Sequence, residues 1–305
     1  MRPEQLSVES LQAFVAVVDT GAFSAAAERL HLTQPAISKR IQSLEATLER
    51  PLFERQGRRV RPTEVAERLL PEAREILARL RAIEQQVADL DQVVRGRIRL
   101  ATSHHIALHR LPTPLSALRE RYPELELELA FMDSEAGIEA VMHGDADLAL
   151  ATLPEDLPKG AEAHTVWTDD LVPMVARNRA ADTPLDTLRR LHDWPAILPP
   201  ADSTTRRQID QALAAQGLHP TAAQESPYLE VIRMMIAAGL GIGFLPRTMV
   251  TDDLTVLDWT AAPITRHLGW VRHADRYRSR TLDAVIEELH NGLAREIPDL
   301  TDLQE

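Results

Sequence analysis

The sequence contains no cysteine and no long apolar run. Without cysteine, the 305 residues cannot form disulfides, thiolate nucleophiles, iron–sulfur clusters, Cys-ligated zinc sites or thiol redox switches. No stretch approaches the roughly 18 apolar residues that a transmembrane helix needs, so we expect no membrane partner. The opening MRPEQLSVES has no apolar signal core, and we therefore expect a cytoplasmic protein.

Catalytic and cofactor signatures are also missing. The chain has no Gly-x-Ser-x-Gly elbow, no P-loop and no conspicuous carboxylate pair, so we expect no enzyme activity and no cofactor. The glycines of residues 239–243 lack dinucleotide-binding spacing and indicate a tight turn into a buried strand. His104, His105 and His109 suggest zinc, but no Glu or Cys at ligand spacing completes the set, so we predict no metal.

Charge is distributed unevenly along a chain long enough for two or more globular units. Its net charge is −12, yet residues 1–62 carry nine Lys or Arg against seven Asp or Glu, and the remainder carries 25 against 39. A small basic region on an acidic body fits a protein that binds a polyanion at one end, although basic runs are often only solvated surface.

Residues 1–62 have the pattern of a winged helix-turn-helix. Helical apolar spacing between Ser7 and Gly21 predicts a first helix over 8–20. Ser24 is expected to cap a second helix, and Thr33 a third that opens with Gln-Pro. A short helix, a tight turn and a longer helix are typical of helix-turn-helix geometry.

The third helix and the arginine-rich segment after it are the predicted DNA-contacting surface. Gln34, Ser38 and Gln42 are expected to read base edges in the major groove, and Ala36 to contact thymine methyl groups. Arginines of a Gly-containing hairpin over 54–61 would contact phosphates or a narrow minor groove. The predicted DNA-contacting residues are Ser24, Thr33, Gln34, Pro35, Ala36, Ser38, Lys39, Arg40, Gln42, Arg55, Arg58, Arg59 and Arg61.

A long helical pattern over 63–91 predicts a linker that joins two chains. Its apolar residues alternate at spacings of four and three, which is typical of a coiled-coil seam, while a helix packed on its own domain is the alternative. Pro71 should kink this helix or mark where a new one begins. The predicted dimerisation residues are Leu69, Ala73, Ile76, Leu80, Ile83, Val87 and Leu90.

From residue 92 onward, strand patterns alternate with helix patterns. Strands over 98–101, 125–131 and 148–151, with helices over 108–121 and 134–143, predict a parallel α/β unit. A second unit follows over residues 171–271, and an amphipathic helix is predicted over 277–295. The body is therefore expected to be two α/β units.

The sequence resembles LysR-type transcriptional regulators along essentially its whole length. The strongest match comprises LQAF at 11–14, GAFSAAA at 21–27, LTQPAIS at 32–38, LE at 44–45 and PLFER at 51–55. The looser match in the body comprises RIRL at 97–100, GDADLA at 144–149 and GLGIGFLP at 239–246. Departures are Ala66, and Glu49 or Arg50 after Leu48, where the family usually has glycine.

The resemblance implies an α/β protein with an N-terminal winged helix-turn-helix, a linker helix and a type 2 periplasmic-binding-protein-like effector domain. These would be residues 1–62, 63–91 and 92–305, with effector subdomain I at about 97–168 and 272–305 and subdomain II at about 169–271. It also implies homodimers or homotetramers on palindromic operator DNA, with a small effector altering DNA bending and recruitment of RNA polymerase. A solute-binding protein without DNA function is the alternative.

A ligand cleft is expected where polar turns follow the strands of the body. In open α/β sheets, ligands bind at the carboxyl ends of the strands, and helix N-termini there offer N–H donors. Such turns occur at 102–105, 133–134 and 203–205, although their hydroxyl residues are also ordinary N-caps. The few aromatic residues and the hydroxyl-bearing turns suggest a small polar or anionic effector. The resemblance implies that this effector is contacted by Ser103, His104, His105, Ser134 and Thr204.

Overall fold

The computed structural model describes residues 6–56, 59–180, 194–259 and 262–296, and the side chains of these except residues 55, 56, 59 and 293–296. The chain divides into two compact units, residues 1–87 with 143–145 and residues 88–142 with 146–305. Among the described residues, no single helix is long and apolar enough to span a membrane; one sharply bent pair, Val8–Thr20 with Phe23–Arg29, meets that criterion jointly.

The described residues of the first unit form four α-helices and a two-stranded hairpin. The helices are α1 (Val8–Thr20), α2 (Phe23–Arg29), α3 (Gln34–Leu48) and α4 (Glu64–Ala88), and the strands are β1 (Phe53–Gln56) and β2 (Arg59–Pro62). Strands β1 and β2 pair antiparallel. The predicted three helices followed by a wing are therefore confirmed.

Side-chain caps begin three of these helices. Ser7, Thr33 and Thr63 each accept a hydrogen bond from a backbone N–H in the first turn of α1, α3 and α4. The prediction that Ser24 caps α2 is wrong, because Ala22 holds the cap position and has no side-chain oxygen to accept a hydrogen bond. Ser24 instead lies exposed in the first turn of α2.

Every helix of the first unit contributes residues to its apolar core. Phe14, Ile37 and Leu52 are fully buried there, and Ala66 and Ala73 of α4 pack into the same cluster. Helix α4 is thus fixed to the helix-turn-helix along its N-terminal part.

One carboxylate also fastens the helices of this unit together. Asp19 near the end of α1 accepts hydrogen bonds from Arg29 of α2 at 2.9 Å and from Arg74 of α4 at 2.7 Å. Both Asp19 and Arg74 are largely buried, so their pairing is less screened by solvent than a surface ion pair.

The second unit is built on a seven-stranded mixed sheet. Its strands are β3 (Gly96–Thr102), β4 (Leu125–Phe131), β5 (Leu148–Thr152), β6 (Ala161–Ala176), β9 (Gly243–Pro246), β10 (Leu254–Val256) and β11 (Ile264–His273), while β7 (Ala196–Leu198) and β8 (Ala222–Glu225) form a parallel pair. The sheet order is β10-β6-β11-β5-β3-β4, and β9 also pairs with β6.

Seven helices surround these strands in the described part of the second unit. They are α5 (His104–Arg110), α6 (Pro112–Arg121), α7 (Ser134–His143), α8 (Arg177–Ala180), α9 (Thr204–Ala214), α10 (Leu229–Ala237) and α11 (Arg280–Glu296). The helix expected over 108–121 is instead two, because Pro112 has no N–H to continue the hydrogen-bond ladder. Helix α11 starts later than expected because Ser279 caps it.

Parallel and antiparallel pairing both occur in the large sheet. Strand β3 pairs parallel with β4 and β5, as the sequence predicted. Strand β11 pairs antiparallel along its whole length with residues 161–171 of β6, from Leu171 opposite Ile264 to Ala161 opposite His273. The sequence pattern found only the end of β6, so the long antiparallel centre of the sheet was missed.

Several apolar clusters include residues of this central strand pair. Leu100, Ile106 and Leu289 belong to a cluster formed around β3, α5 and α11. Other clusters contain Phe244, which lies in β9, and Ile232, which lies in α10. Strands β6 and β11 contribute buried residues to clusters of both groups and so connect the two regions.

Candidate functional site

The outer surface of α3 carries the polar residues predicted to contact DNA. Gln34, Lys39 and Gln42 are exposed, whereas Ile37 and Ile41 are buried in the helix-turn-helix core. The remaining predicted residues at this helix are also accessible, with Thr33 and Pro35 exposed and Ala36, Ser38 and Arg40 half-buried. The helix therefore separates an apolar inner face from a polar outer face as expected.

The β1–β2 hairpin packs against the helices through aromatic contacts. The Phe53 ring centroid lies 5.8 Å from those of Phe14 and Phe23, which positions the wing beside α1 and α2. Arg61 is exposed on β2. Arg58 and the side chains of Arg55 and Arg59 lie outside the described residues, so their predicted roles stay predictions.

The predicted seam of α4 divides into a buried part and an exposed part. Ala73 is completely buried in its own unit and cannot contact a second chain, which corrects the prediction at that position. Leu69 and Leu80 are half-buried. The large apolar residues that are 45–79% exposed on this segment are Ile76, Ile83, Val87 and Leu90.

Two local details of this segment differ from expectation. Helix α4 continues unbroken through Pro71, so no new helix begins there. It ends at Ala88, and Leu90 lies in a following 3₁₀ turn instead of in the helix. The exposed apolar stripe on α4 itself therefore comprises Ile76, Ile83 and Val87.

A cavity of about 370 Å³ brings together all five predicted effector-contacting residues. Ser103 reaches it from the turn after β3, His104 and His105 from the start of α5, Ser134 from the start of α7, and Thr204 from the start of α9. Further lining side chains, which sequence reasoning did not select, include Asp133, Glu135, Glu139, Thr152, Asp202, Thr205 and Arg266.

The hydroxyl residues of the cavity play three different local roles. Ser103 caps α5, as expected. Ser134 does not cap α7, because its hydroxyl accepts a hydrogen bond from a backbone N–H of β5 at 2.9 Å while Asp133 accepts one from the first turn. Thr204 is the first residue of α9, and Ser203 is its cap. The prediction of hydroxyl N-caps is thus wrong at Ser134 and Thr204.

Glu135 connects two helix N-termini across the cavity. Its carboxylate accepts a hydrogen bond from the backbone N–H of Thr204 and lies 3.7 Å from the guanidinium of Arg207. A carboxylate of the protein thereby satisfies a backbone donor at the start of α9. The only sequence signal for this role was an acidic residue in the first turn of α7.

A buried ionic network lies beside the cavity. Asp169 of β6 accepts hydrogen bonds from Arg266 of β11 at 2.7 Å and from Arg110 of α5 at 2.9 Å. The side chains of Asp169 and Arg266 are only 1% and 4% exposed. Arg266 also donates to Thr205 of α9 at 3.3 Å, so the network links the central strands to two helices.

The network keeps Asp169 charged. Burial alone would raise the pKa of this carboxyl, but His105, Arg266 and Arg110 outweigh that effect and hold the pKa well below its ordinary value. Burial lowers the pKa of the Arg266 guanidinium, and the neighbouring Asp169 opposes this shift. The pair therefore remains ionised across neutral and mildly acidic pH.

Two histidines of α5 converge on a carboxylate of α10. The Oε1 atom of Glu230 lies 3.2 Å from Nδ1 of His105 and 3.1 Å from Nε2 of His109. Burial would raise the pKa of Glu230, but hydrogen bonds from the two imidazoles and from backbone lower it to about 2. Sequence reasoning missed Glu230, since it lies 125 positions from His105.

The fold and its cavity together indicate a class of protein. Ligand-responsive DNA-binding proteins typically combine three parts: a winged helix-turn-helix, a long helix with an exposed apolar stripe, and an α/β unit with a polar cavity. The exposed α3 surface and the cavity occupy separate units of the chain.

Comparison with known families gives a consistent result. The profile described as "Bacterial regulatory helix-turn-helix protein, lysR family" matches residues 8–67, and that described as "LysR substrate binding domain" matches residues 91–294. The second match alone covers more than half of the chain. The protein therefore belongs to the LysR family of DNA-binding transcriptional regulators.

Individual relatives agree with this family. The HTH-type transcriptional activator IlvY of Haemophilus influenzae is 30% identical over 248 residues, which cover 80% of this chain and 84% of that protein. A full-length OxyR variant from Pseudomonas aeruginosa has the same fold, with a TM-score of 0.68, 21% identity and 94% coverage of both chains. Full-length CbnR complexed with its target DNA gives a TM-score of 0.64, 20% identity, and coverage of 94% and 100%. These matches favour a regulator over the solute-binding alternative.

Proposed function

We propose that this LysR-family regulator changes its activity on DNA when a small polar molecule binds in the cavity formed at α7 and α9. The observation that carries the proposal is the convergence of Ser103, His105, Ser134 and Thr204 on one cavity, although they come from three separate segments of the chain. A volume of about 370 Å³ is at the lower end of the range for small-molecule sites.

The charges that line the cavity indicate which functional groups the effector should carry. Its lining includes the acidic residues Asp133, Glu135, Glu139 and Asp202, and its buried cation Arg266 is already paired with Asp169. An effector bearing amine or hydroxyl donors is therefore favoured over a simple anion. An anionic group would have to displace Glu135 from the N–H of Thr204 to reach the start of α9.

DNA recognition in this proposal belongs to α3 and the wing. Gln34, Ser38 and Gln42 read base edges, while Lys39 and Arg61 contact phosphates and make the affinity depend on salt. The exposed polar surface of α3 supports this assignment, as does the fold shared with CbnR in its complex with target DNA. Sequence preference and overall affinity thus come from different side chains.

The exposed stripe of α4 supports assembly into a homodimer. Ile76, Ile83 and Val87 expose apolar surface at heptad-like spacing, and a matching helix of a second chain would bury it. Two copies would present two α3 helices to a palindromic operator, either as a dimer or within a homotetramer, and RNA polymerase is a further partner.

Control by the effector requires that it bind one arrangement of the second unit better than another. The carboxylate of Glu135 joins α7 to α9, so a ligand that replaces this contact alters how the two helices are held. A changed position of α7 relative to α9 would alter the spacing of the DNA-binding units in the dimer. Altered spacing would in turn change how the operator is bent.

Two measurements test the proposal together. Metabolites are screened for those that raise the melting temperature of the full-length protein, since a ligand that binds only the folded state stabilises it. Any hit is then added to an operator mobility-shift and footprinting assay. We expect the ligand to change the footprint of the wild-type protein. It should leave the footprint of Ala136→Trp unchanged, because the tryptophan fills the cavity while α3 stays intact. An unchanged footprint at saturating ligand would contradict the proposal.

A further inference from the structure

His105, His109 and Glu230 form a cluster with the composition of a metal site. The two histidines are four residues apart on α5 and therefore lie on the same face of the helix, a spacing that zinc-binding helices use. Glu230 reaches them from α10. One ligand atom from each of the three side chains lies within 4.8 Å of the other two.

The distances are close to those that zinc requires. Bonds of about 2.0–2.1 Å in a tetrahedral arrangement separate neighbouring ligand atoms by about 3.3 Å. The carboxylate oxygen of Glu230 lies at 3.2 Å and 3.1 Å from the two imidazole nitrogens. Small movements of these side chains would thus be enough to enclose an ion.

A second carboxylate orients one of the two imidazoles. With Nδ1 of His105 facing Glu230, its Nε2 lies 3.4 Å from Asp169. Histidines that bind metals usually donate their other ring N–H to a carboxylate, which fixes the ring and makes it a better ligand. Asp169 is itself held in place by Arg110 and Arg266.

The other oxygen of Glu230 provides a second, independent observation. Its Oε2 atom is buried and has no hydrogen-bond partner among the described residues. An unsatisfied buried carboxylate oxygen is costly, and each such atom in a native structure calls for an explanation. A cation held by the carboxylate would supply the missing interaction.

We propose that His105, His109 and Glu230 bind one divalent transition-metal ion of the zinc type. A set of two histidines and one carboxylate leaves a coordination position for water or another oxygen donor. His109 is half exposed and provides the route by which the ion enters. The ion would link α5 to α10, and this binding does not depend on the proposed response to an effector.

The proposal is tested with untagged full-length protein treated with a chelator. Zinc chloride is titrated calorimetrically against a competing chelator, and Co²⁺ is added separately to record the visible absorption typical of four-coordinate cobalt. We expect one ion per chain. His109→Ala and Glu230→Gln should each weaken zinc binding by about tenfold or more, because each removes a ligand.

The matched control is His104→Ala, which removes the adjacent, exposed histidine of α5 and leaves all three ligands. Its zinc affinity should equal that of the wild type, and at one zinc concentration the melting temperature should rise more for this control than for His109→Ala. Equal zinc affinity in His109→Ala and wild type would overturn the proposal, as would an equal loss in His104→Ala. Neither DNA nor an effector is present, so the result stands apart from the test of the proposed function.

Discussion

The outer face of α3 and the ionic network of the second unit place their polar side chains in opposite environments. On α3, Gln34, Lys39 and Gln42 stand in solvent and are free to meet a ligand, whereas Asp169 and Arg266 in the second unit are buried and already paired. Exposed charges contribute little to folding and are screened by salt, but a buried charge that loses its partner is costly. Substitutions on α3 should therefore affect binding, and substitutions in the buried network should affect folding.

The largest expected effect is that of Asp169→Asn. Removing this carboxylate leaves the guanidinium of Arg266 buried without its counter-charge, which should lower the free energy of unfolding by about 3–5 kcal/mol. Urea denaturation measures the loss. The neighbouring exposed residue supplies the control, since Asp170→Asn should cost less than about 0.5 kcal/mol. Equal costs for the two variants would remove the contrast between buried and exposed charge.

Next in size is the effect of Ile83→Asp on assembly. If the stripe of α4 is buried between two chains, a carboxylate there should weaken the dimer by at least about 2 kcal/mol, because apolar burial is lost. Sedimentation equilibrium reports the dissociation constant. Gln85→Asp adds the same charge on the opposite side of α4 and should leave the dimer intact. A dimer that tolerates both changes would place the interface elsewhere.

A smaller effect is expected from Gln34→Ala on the exposed surface of α3. Loss of a base contact should reduce the preference for one operator base pair by about 1–3 kcal/mol, with unfolding unchanged. Competition binding with operator variants measures the preference. Gln12→Ala, at an exposed glutamine of α1, should leave it unaltered. If Gln34→Ala weakens cognate and random DNA equally, this residue does not read sequence.

The smallest change is predicted for Lys39→Ala. Removing one phosphate contact should reduce the slope of log affinity against log salt by about one, equally for cognate and random DNA. Fluorescence anisotropy over a salt series measures that slope. Lys159→Ala, an exposed lysine of the second unit, should leave it unchanged. A loss confined to cognate DNA would instead assign Lys39 to base reading.

Local signals made the first unit largely predictable. The caps at Ser7 and Thr33, and the helical spacing that buries Ile37 and Ile41, depend on residues within a few positions of one another. Ser24 shows the limit of such signals, because a serine close to a helix start is a good cap only if the backbone places it at the cap position.

In the second unit, the sequence predicted the turns that line the cavity. It did not predict the buried ionic network beside the cavity. Asp169 meets Arg266 across 97 positions, and Glu230 meets His105 across 125. No short pattern encodes such pairs, since they arise from the antiparallel alignment of β6 with β11 and from the docking of α10. The sequence alone does not predict a metal site here, because its carboxylate lies 125 positions from His105.

The long central strands limit how the second unit can rearrange. Sliding β6 past β11 by one residue would send Asp169 and Arg266 to opposite faces of the sheet, which their pairing forbids. The register shifts at Gly269, an irregularity that lets a strand bend, and only glycine fits there because a Cβ would lie 2.0 Å from the carbonyl oxygen of His164. A rearrangement of the second unit should therefore bend these two paired strands and not slide one past the other.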